Sequence, residues 1–164
     1  MTEEHQKKIF NEWLNHYKAL FFKIIRVYTA TPMDREDLFQ EIIIQVWKSV
    51  PQFKEECAVS TWLYRISLNT ALKWKSREQK AGQFSNSLDE THHLLIKEET
   101  PHDRVEALYV AIRNLKETDR SLALLLLDGL SYREMSLVMG ITESNIGVRI
   151  NRIKKQLTES FKKL

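Results

Sequence analysis

The fold follows from one stretch near the carboxyl end, Ser131-Tyr-Arg-Glu-Met-Ser-Leu-Val-Met-Gly-Ile-Thr-Glu-Ser-Asn-Ile-Gly-Val-Arg-Ile-Asn-Arg-Ile-Lys-Lys-Gln-Leu157. Ser131 and Glu134 form a capping box, which predicts the start of a short helix. Gly140 predicts its end, because glycine enters the left-handed conformation without steric cost. Thr142 is a favourable N-cap for a second helix. The stretch therefore predicts a short helix, a tight turn and a longer helix.

The second of these helices has two contrasting faces. Apolar residues recur at helical spacing and predict one buried stripe: Ile146, Ile150, Ile153 and Leu157. Away from the stripe lie side chains that can donate hydrogen bonds to base edges and phosphates: Ser144, Asn145, Arg149, Asn151, Arg152 and Lys155. This is the layout of a DNA-reading helix-turn-helix, whose second helix enters the major groove. A helical hairpin with a solvated basic face is the alternative interpretation.

The composition favours a helical protein of modest size. A chain of 164 residues suffices for one ordinary domain or two small ones, and only four Gly and three Pro indicate few tight turns. The net charge of +3 is weak support for a nucleic-acid partner. Its distribution is more informative, since residues 143–164 contain six basic and two acidic side chains.

Several classes of protein are disfavoured. The single Cys57 excludes an internal disulfide and fits a reducing compartment. The first residues lack the apolar segment of a signal peptide, and no apolar run approaches the ~20 residues that span a bilayer. We therefore expect a cytoplasmic protein without membrane insertion.

Neither catalysis nor a cofactor is indicated. His92, His93 and His102 have no companion cysteines, so a metal site is not expected. No catalytic arrangement of Ser, His, Asp, Cys or paired carboxylates stands out, and no glycine-rich phosphate loop is present. The sequence predicts a protein that is not an enzyme and needs no cofactor.

The amino-terminal third predicts two or three helices. Apolar residues at helical spacing run from about Glu4 to Tyr28, in one long helix or two joined near His16. A break follows, and Asp34 is expected to cap the next helix, which runs from Arg35 to about Val50.

That helix carries more apolar surface than one core requires. Leu38, Ile42 and Val46 form one row, and Phe39, Ile43 and Trp47 form an adjacent one. Beside them lies a polar edge of four residues: Asp37, Gln40, Glu41 and Gln45. Such a helix can pack a core and still offer an apolar and acidic face to a partner. A fully buried central helix is the alternative.

A third helix is expected from Thr61 to about Glu78, capped by Ser60. Four residues stand at successive i+4 positions and form a mostly cationic stripe: Arg65, Asn69, Lys73 and Arg77. Aromatic residues interleave with the stripe: Trp62, Tyr64 and Trp74. Cations for the backbone and aromatic rings for stacking suit unpaired nucleic acid. Alternatively Trp62 and Ile66 belong to the core, as we expect for most of Trp62, and the cations form a solvated face.

The chain loses its periodicity between residues 79 and 103, which predicts a flexible linker. Helices resume at about Arg104 to Leu115 and at Glu117 to Asp128, where Gly129 closes the second. The predicted fold is all-α, with two small helical domains at residues 1–78 and 104–164, and the carboxyl-terminal one is a helix-turn-helix.

Three stretches together resemble bacterial RNA polymerase sigma factors of the extracytoplasmic-function (ECF) group. Asp34-Arg-Glu-Asp-Leu-Phe-Gln-Glu-Ile-Ile-Ile-Gln-Val-Trp47 is similar to the part of region 2 that docks on the polymerase clamp. Phe53 with Ser60-Thr-Trp-Leu-Tyr-Arg-Ile-Ser-Leu-Asn-Thr-Ala71 resembles the part that opens and reads the −10 element. Residues 128–152 resemble region 4, which reads the −35 element.

The resemblance implies a role for each surface. It assigns core-polymerase binding to Asp37, Leu38, Gln40, Glu41, Gln45 and Trp47. It assigns −10 DNA binding to Arg65, Asn69, Lys73, Trp74 and Arg77, with Asn69 at the position that helps capture an unstacked base. It assigns −35 binding to Ser144, Asn145, Arg149, Asn151, Arg152 and Lys155. The implied partners are the clamp and flap of core polymerase, promoter DNA and an anti-sigma protein.

One position departs from the family pattern. Where the family often has Lys or Arg followed by Ser, this chain has Gly147-Val148. A glycine inside a helix costs about 1 kcal/mol relative to alanine, so a close approach at Gly147 is expected.

Two other functions compete with a promoter-specificity subunit. A stand-alone helix-turn-helix regulator would bind duplex operator tightly as a dimer, without polymerase. An interaction protein that keeps only the clamp-binding helix would lack DNA reading, which the basic run from Arg149 to Lys155 argues against.

Overall fold

A computed structural model describes residues 1–82 and 101–162 of the chain. Within these ranges every regular element is helical, which confirms the predicted all-α class. The α-helices are α1 (Glu3–His16), α2 (Lys18–Tyr28), α3 (Pro32–Ser49), α4 (Val59–Gly82), α5 (Pro101–Arg113), α6 (Glu117–Leu127), α7 (Tyr132–Met139) and α8 (Glu143–Lys162). A short 3-10 turn at Val50–Gln52 follows α3.

Helices α1 and α2 are separate, which agrees with the second predicted arrangement, two helices joined near His16. The chain leaves helical geometry at Tyr17, where φ is −109° and ψ is 24°. The amide of Tyr17 still bonds to the carbonyl of Trp13, 2.9 Å away, so the break is tight. This bend lets α2 bury six apolar or aromatic residues in the core: Leu20, Phe21, Ile24, Ile25, Val27 and Tyr28.

The starts of α3 and α4 differ from the prediction. Thr31, not Asp34, caps α3, because its hydroxyl accepts from the Asp34 amide at 3.1 Å and Pro32 fits the first helical turn. Helix α4 already begins at Val59, so Ser60 lies inside its first turn rather than at the cap.

Helices α4 and α5 both extend into residues 79–103, the predicted linker. Helix α4 continues to Gly82, because Gln79, Lys80 and Ala81 favour helix and nothing before Gly82 interrupts it. Helix α5 begins at Pro101, before the predicted start at Arg104. The rest of the predicted linker, with His92 and His93, lies outside the described residues.

Helices α5 to α8 carry the second half of the core. Helix α6 packs against α5 and α8, and α7 packs against α8. In the Leu-rich run of α6, Leu122, Leu124 and Leu125 are buried, whereas Leu127 is 52% exposed. Gly129 follows the helix with a φ of +78°, as expected for a glycine that ends a helix.

The two halves of the chain pack directly on each other. Helix α2 contacts α5 and α6, and α4 contacts α6 and α7, so one continuous apolar core runs through both halves. The buried Tyr28 hydroxyl donates to the Glu117 carbonyl at 2.5 Å and lies 2.6 Å from Oγ of Ser121. Burial raises the pKa of Tyr28 to about 12.

Ion pairs flank this interface. Lys23 on α2 lies 2.6 Å from Asp128 at the end of α6. Arg26 on α2 pairs with Glu106 on α5, and Arg113 also approaches Glu106 at 3.6 Å. Burial alone would raise the pKa of Glu106, but the two guanidinium groups outweigh it and hold that pKa below its ordinary value. Both apolar and charged contacts therefore hold α2 against the second half.

None of the helices described here combines the length and the hydropathy of a membrane span.

Candidate nucleic-acid interface

The predicted cationic stripe lies on one exposed face of α4. The helix is continuous from Val59 to Gly82, so side chains four residues apart share a face. All four predicted members of the stripe are exposed: Arg65, Asn69, Lys73 and Arg77. This face can therefore meet a nucleic-acid strand over three helical turns.

The aromatic residues of α4 point elsewhere. Trp74 is only 2% exposed, and its Nε1 donates to Oδ2 of Asp37 at 2.8 Å. Tyr64 is also 2% exposed, and Trp62 is half-buried with its ring 5.5 Å from Phe53. The prediction that Trp74 belongs to the DNA surface is wrong for this conformation, because one residue beyond Lys73 the helix has turned that side chain toward α3.

A groove between α3 and α4 brings two predicted surfaces together. It has a volume of about 670 Å³ and is lined by Glu41, Gln45, Ile66, Asn69, Thr70, Lys73, Ser76 and Arg77. Glu41 on α3 forms an ion pair with Arg77 on α4. A residue predicted to bind polymerase thus contacts a residue predicted to bind DNA. The groove offers both amide and charged groups around Asn69.

Helix α3 divides its apolar residues between core and surface. Leu38, Ile42 and Val46 are 0% exposed, so the row that contains them is core. The prediction that Leu38 offers an exposed part to polymerase is therefore wrong. The adjacent row includes Phe39, which is 37% exposed, and Trp47, which is half-buried against the edge of Phe10 at 5.2 Å.

Phe39 is one exposed apolar residue of α3 that the site prediction missed, and Ile44, which is 50% exposed, is another. The Phe39 ring stacks on Phe22 of α2, with centroids 6.4 Å apart and an interplanar angle of 5°. The signal was present in the sequence, since two apolar rows exceeded what one core needs. The pattern alone did not say which of the two rows faces outward. Among the polar residues predicted to bind polymerase, Asp37, Gln40 and Gln45 are exposed and Glu41 is half-buried.

The helix-turn-helix has the predicted local geometry. The Ser131 hydroxyl accepts from the Glu134 amide at 3.1 Å, which caps α7. Gly140 ends α7 with φ of 70° and ψ of 26°, in the left-handed region. The Thr142 hydroxyl accepts from the Asn145 amide at 3.2 Å, which caps α8. These three predictions are confirmed.

The two faces of α8 are also as predicted. Ile146, Ile150 and Ile153 are 0% exposed, and Leu157 is half-buried at the end of the stripe. Five of the six predicted −35 residues are exposed: Ser144, Asn145, Asn151, Arg152 and Lys155. The sixth, Arg149, is half-buried, because its guanidinium lies toward α6.

The close approach expected at Gly147 is not observed. A Cβ added there would lie 3.6 Å from the Tyr132 ring, which is an ordinary van der Waals distance. Packing therefore does not require glycine at this position.

In the part of the chain that the structure describes, no three His, Cys, Asp or Glu side chains form a cluster that could hold a metal ion.

Comparison with known proteins connects these surfaces to a family. Residues 13–81, which include most of the first four helices, match the family Sigma-70 region 2. Residues 105–157, which include the helix-turn-helix, match the family Sigma-70, region 4. The chain belongs to the ECF sigma factor family.

Curated relatives match this sigma factor from end to end. It is 27% identical to the ECF RNA polymerase sigma-E factor of Haemophilus influenzae, over 99% of this chain and 93% of the relative. It is 24% identical to the protein of that name from Escherichia coli, over 99% of this chain and 92% of the relative.

Solved structures share its fold. RpoE of Bartonella quintana, a sigma factor solved in complex with the anti-sigma factor NepR, aligns with a TM-score of 0.70 and 21% identity over 95% of this chain and 98% of that one. CnrH, solved in complex with the cytosolic domain of CnrY, aligns with a TM-score of 0.68 and 16% identity over 95% of this chain and 89% of that one.

One buried residue of region 4 was missed by the sequence reasoning. Asp119 in α6 is 3% exposed and lies 3.2 Å from Nη2 of Arg152 and 3.9 Å from Nη1 of Arg149. The local pattern of α6 suggested only a charged residue in a first turn. Its partners are 30 or more positions away, so no local signal could have revealed the contact.

Proposed function

We propose that this sigma factor binds core RNA polymerase, directs it to a specific set of promoters and assists DNA opening there. The observation that carries the proposal is the presence, in one chain, of two exposed faces that combine cations and amides, one on each matched region. One is the stripe on α4 and the other is the polar face of α8. A stand-alone operator-binding regulator would need only the second.

Helix α3 would bind the polymerase clamp. Its outward side combines the acidic or polar Asp37, Gln40, Glu41 and Gln45 with the exposed side chain of Ile44. An apolar helix face with a polar border is a common mode of helix recognition by a partner protein. Region 4 would contact the polymerase flap.

Helix α4 would read and hold the −10 element. Extruding a base costs a few kcal/mol, which a pocket with hydrogen-bonding groups must offset. Asn69 lines the groove between α3 and α4 and has Lys73 one turn away, where a cation can meet the adjacent phosphate. Arg65 extends the same stripe by one turn in the other direction.

Helix α8 would read the −35 element in the major groove. Ser144 and Asn145 lie near its start, and Asn151 and Arg152 lie further along. Arginine and asparagine side chains make bidentate contacts with guanine and adenine edges, so this face can discriminate between bases.

The proposal also extends to partners and place of action. The two solved neighbours were determined as complexes with a protein partner, named as an anti-sigma factor for RpoE. We expect an anti-sigma protein to bind this chain too and to mask it. The chain would act in the cytoplasm with the polymerase, which supplies the catalysis.

Run-off transcription tests the proposal. Purified core polymerase is incubated with pooled genomic promoter fragments, with and without the full chain. Discrete new start sites that depend on the chain are the expected result. Absence of new transcripts, together with tight duplex binding by the chain alone as a dimer, would leave the stand-alone regulator as the better account.

A further inference from the structure

A buried carboxylate ties the recognition helix to α6. Asp119 lies in the first turn of α6, where the helix N-terminus favours a negative charge, and its side chain is 4% exposed. Its two oxygens lie 3.4 and 3.2 Å from Nη2 of Arg152. Its Oδ1 also lies 3.9 Å from Nη1 of Arg149. A buried carboxylate is stable only with such partners, so the contacts are expected to persist in solution.

Both arginines keep donors for a ligand. A guanidinium has five N–H donors, and Asp119 engages one terminal nitrogen of each. The side chain of Arg152 is 53% exposed and that of Arg149 is 31% exposed. The two residues lie three positions apart on α8, so the donors that remain lie on neighbouring turns of one helix edge.

We propose that Asp119 is a positioning residue for −35 recognition, which orients Arg149 and Arg152 toward base edges and withholds part of their charge from the phosphates. This inference rests on the proposed function of α8. A free arginine loses rotamer freedom when it meets DNA, whereas one already held by Asp119 has lost that freedom on folding. Because phosphate contacts carry no sequence information, limiting them favours discrimination over total affinity.

The test compares the full chain with its Asp119→Asn variant, each assembled with core polymerase. The template is a promoter found by run-off transcription, together with every single-base substitution of its −35 element. We expect discrimination between the cognate and substituted elements to fall about tenfold in the variant. We also expect the plot of log affinity against log salt to steepen by about 0.9 for each guanidinium that gains a phosphate.

A matched control removes one negative charge from α8 without touching this contact. Glu159→Gln changes an exposed residue near the end of the same helix. It should leave both the discrimination and the salt slope unchanged. An equal response from both variants would overturn the proposal, because a general change in charge would then explain it.

The remaining outcomes are distinct. Equal loss of transcription at every −35 sequence, with an unchanged salt slope, would mean that Asp119 only stabilises the fold. Unchanged discrimination by Asp119→Asn, with the wild type still selective, would overturn this inference alone. A wild type indifferent to the −35 sequence would overturn the proposed function of α8 and this inference with it.

If the Asp119→Asn variant does not fold, a second measurement, made on the wild-type chain, tests the proposal. In the ¹⁵N-labelled wild-type chain, the Arg149 and Arg152 guanidinium groups should show slowed rotation about the Nε–Cζ bond. Exposed Arg133 on α7 provides the internal reference. Rotation as fast as that of Arg133 would overturn the proposal.

Discussion

Asn69 carries the exposed amide that the proposal assigns to promoter DNA opening. It lines the groove between α3 and α4 and makes no contribution to the buried core. For Asn69→Ala we expect a ten- to hundredfold loss of open-complex formation, since the hydrogen bonds of an amide to a base edge are worth about 1–3 kcal/mol. Permanganate reactivity of unpaired thymines measures the opening.

Its control is Asn11→Ala, the same substitution at an exposed position of α1. Binding of both variants to core polymerase should match the wild type. Normal opening by Asn69→Ala would remove this residue from the proposed −10 site.

Trp74 belongs to the stability of the fold rather than to the DNA surface. We expect Trp74→Ala to lower the free energy of unfolding by about 3–5 kcal/mol, as for other buried aromatic residues. Trp74→Phe should cost less, about 2–3 kcal/mol, because it removes the hydrogen bond to the Asp37 carboxylate and part of the buried ring. Urea denaturation followed by circular dichroism measures both. Unaltered stability with a selective transcription defect would contradict this assignment.

Leu38 and Trp74 show what periodicity can predict at the residue scale. Spacing correctly grouped Leu38 with Ile42 and Val46, and it grouped the cations of α4. It could not say how each helix is rotated toward its neighbours, which depends on contacts distant in sequence. That rotation placed Trp74 against Asp37 and left Phe39 at the surface.

At the scale of single elements, the two glycines of the helix-turn-helix should respond in opposite directions. Gly147→Ala should stabilise the chain by about 1 kcal/mol, because the added Cβ finds ordinary space beside Tyr132. Gly140→Ala should destabilise it by about 1–2 kcal/mol, because φ there is +70°. Thermal unfolding of the full chain measures both. Destabilisation by Gly147→Ala would show that a constraint other than packing requires glycine.

The element boundaries were predictable where the signal was local and unopposed. Ser131, Gly140 and Thr142 act within a few residues, and all three predicted caps are confirmed. Asp34 failed because Thr31 is an equally good cap that comes earlier and has a proline after it. Ser60 failed because α4 begins one residue before it.

At the scale of the whole molecule, Tyr28 is the polar centre of the interface between the two halves. Tyr28→Phe removes the hydrogen bonds to Glu117 and Ser121 and should weaken the packing by about 1–3 kcal/mol. We expect a larger radius of gyration by small-angle X-ray scattering. Thr158→Val, which removes an exposed hydroxyl far from the interface, is the control. An unchanged radius would show that the apolar contacts suffice.

The same hydroxyl predicts a pH dependence. The pKa of Tyr28 is about 12 in the folded chain and about 10 when exposed, so the unfolded chain releases this proton more readily. The stabilisation is therefore complete below pH 10 and is lost as the pH rises from about 10 to 12, by about 3 kcal/mol. Urea denaturation of the wild type and of Tyr28→Phe across this range isolates the effect. Parallel curves for the two proteins would contradict it.

The packing of α2 and α4 on the second half of the chain also affects how this protein distributes between promoters and other chromosomal DNA. Helices α4 and α7 are in contact, whereas two promoter elements one and a half turns of duplex apart are separated by about 50 Å. A chain that must separate its halves before spanning both elements shows an apparent affinity reduced by its open fraction. Chromosomal DNA offers about 10⁶–10⁹ competing sites. If most copies of the protein have their two halves packed together, those copies remain unbound by this DNA until polymerase binds the open form. Mutations that loosen the interface should therefore redistribute the protein over chromosomal DNA even when every DNA-contacting residue is intact.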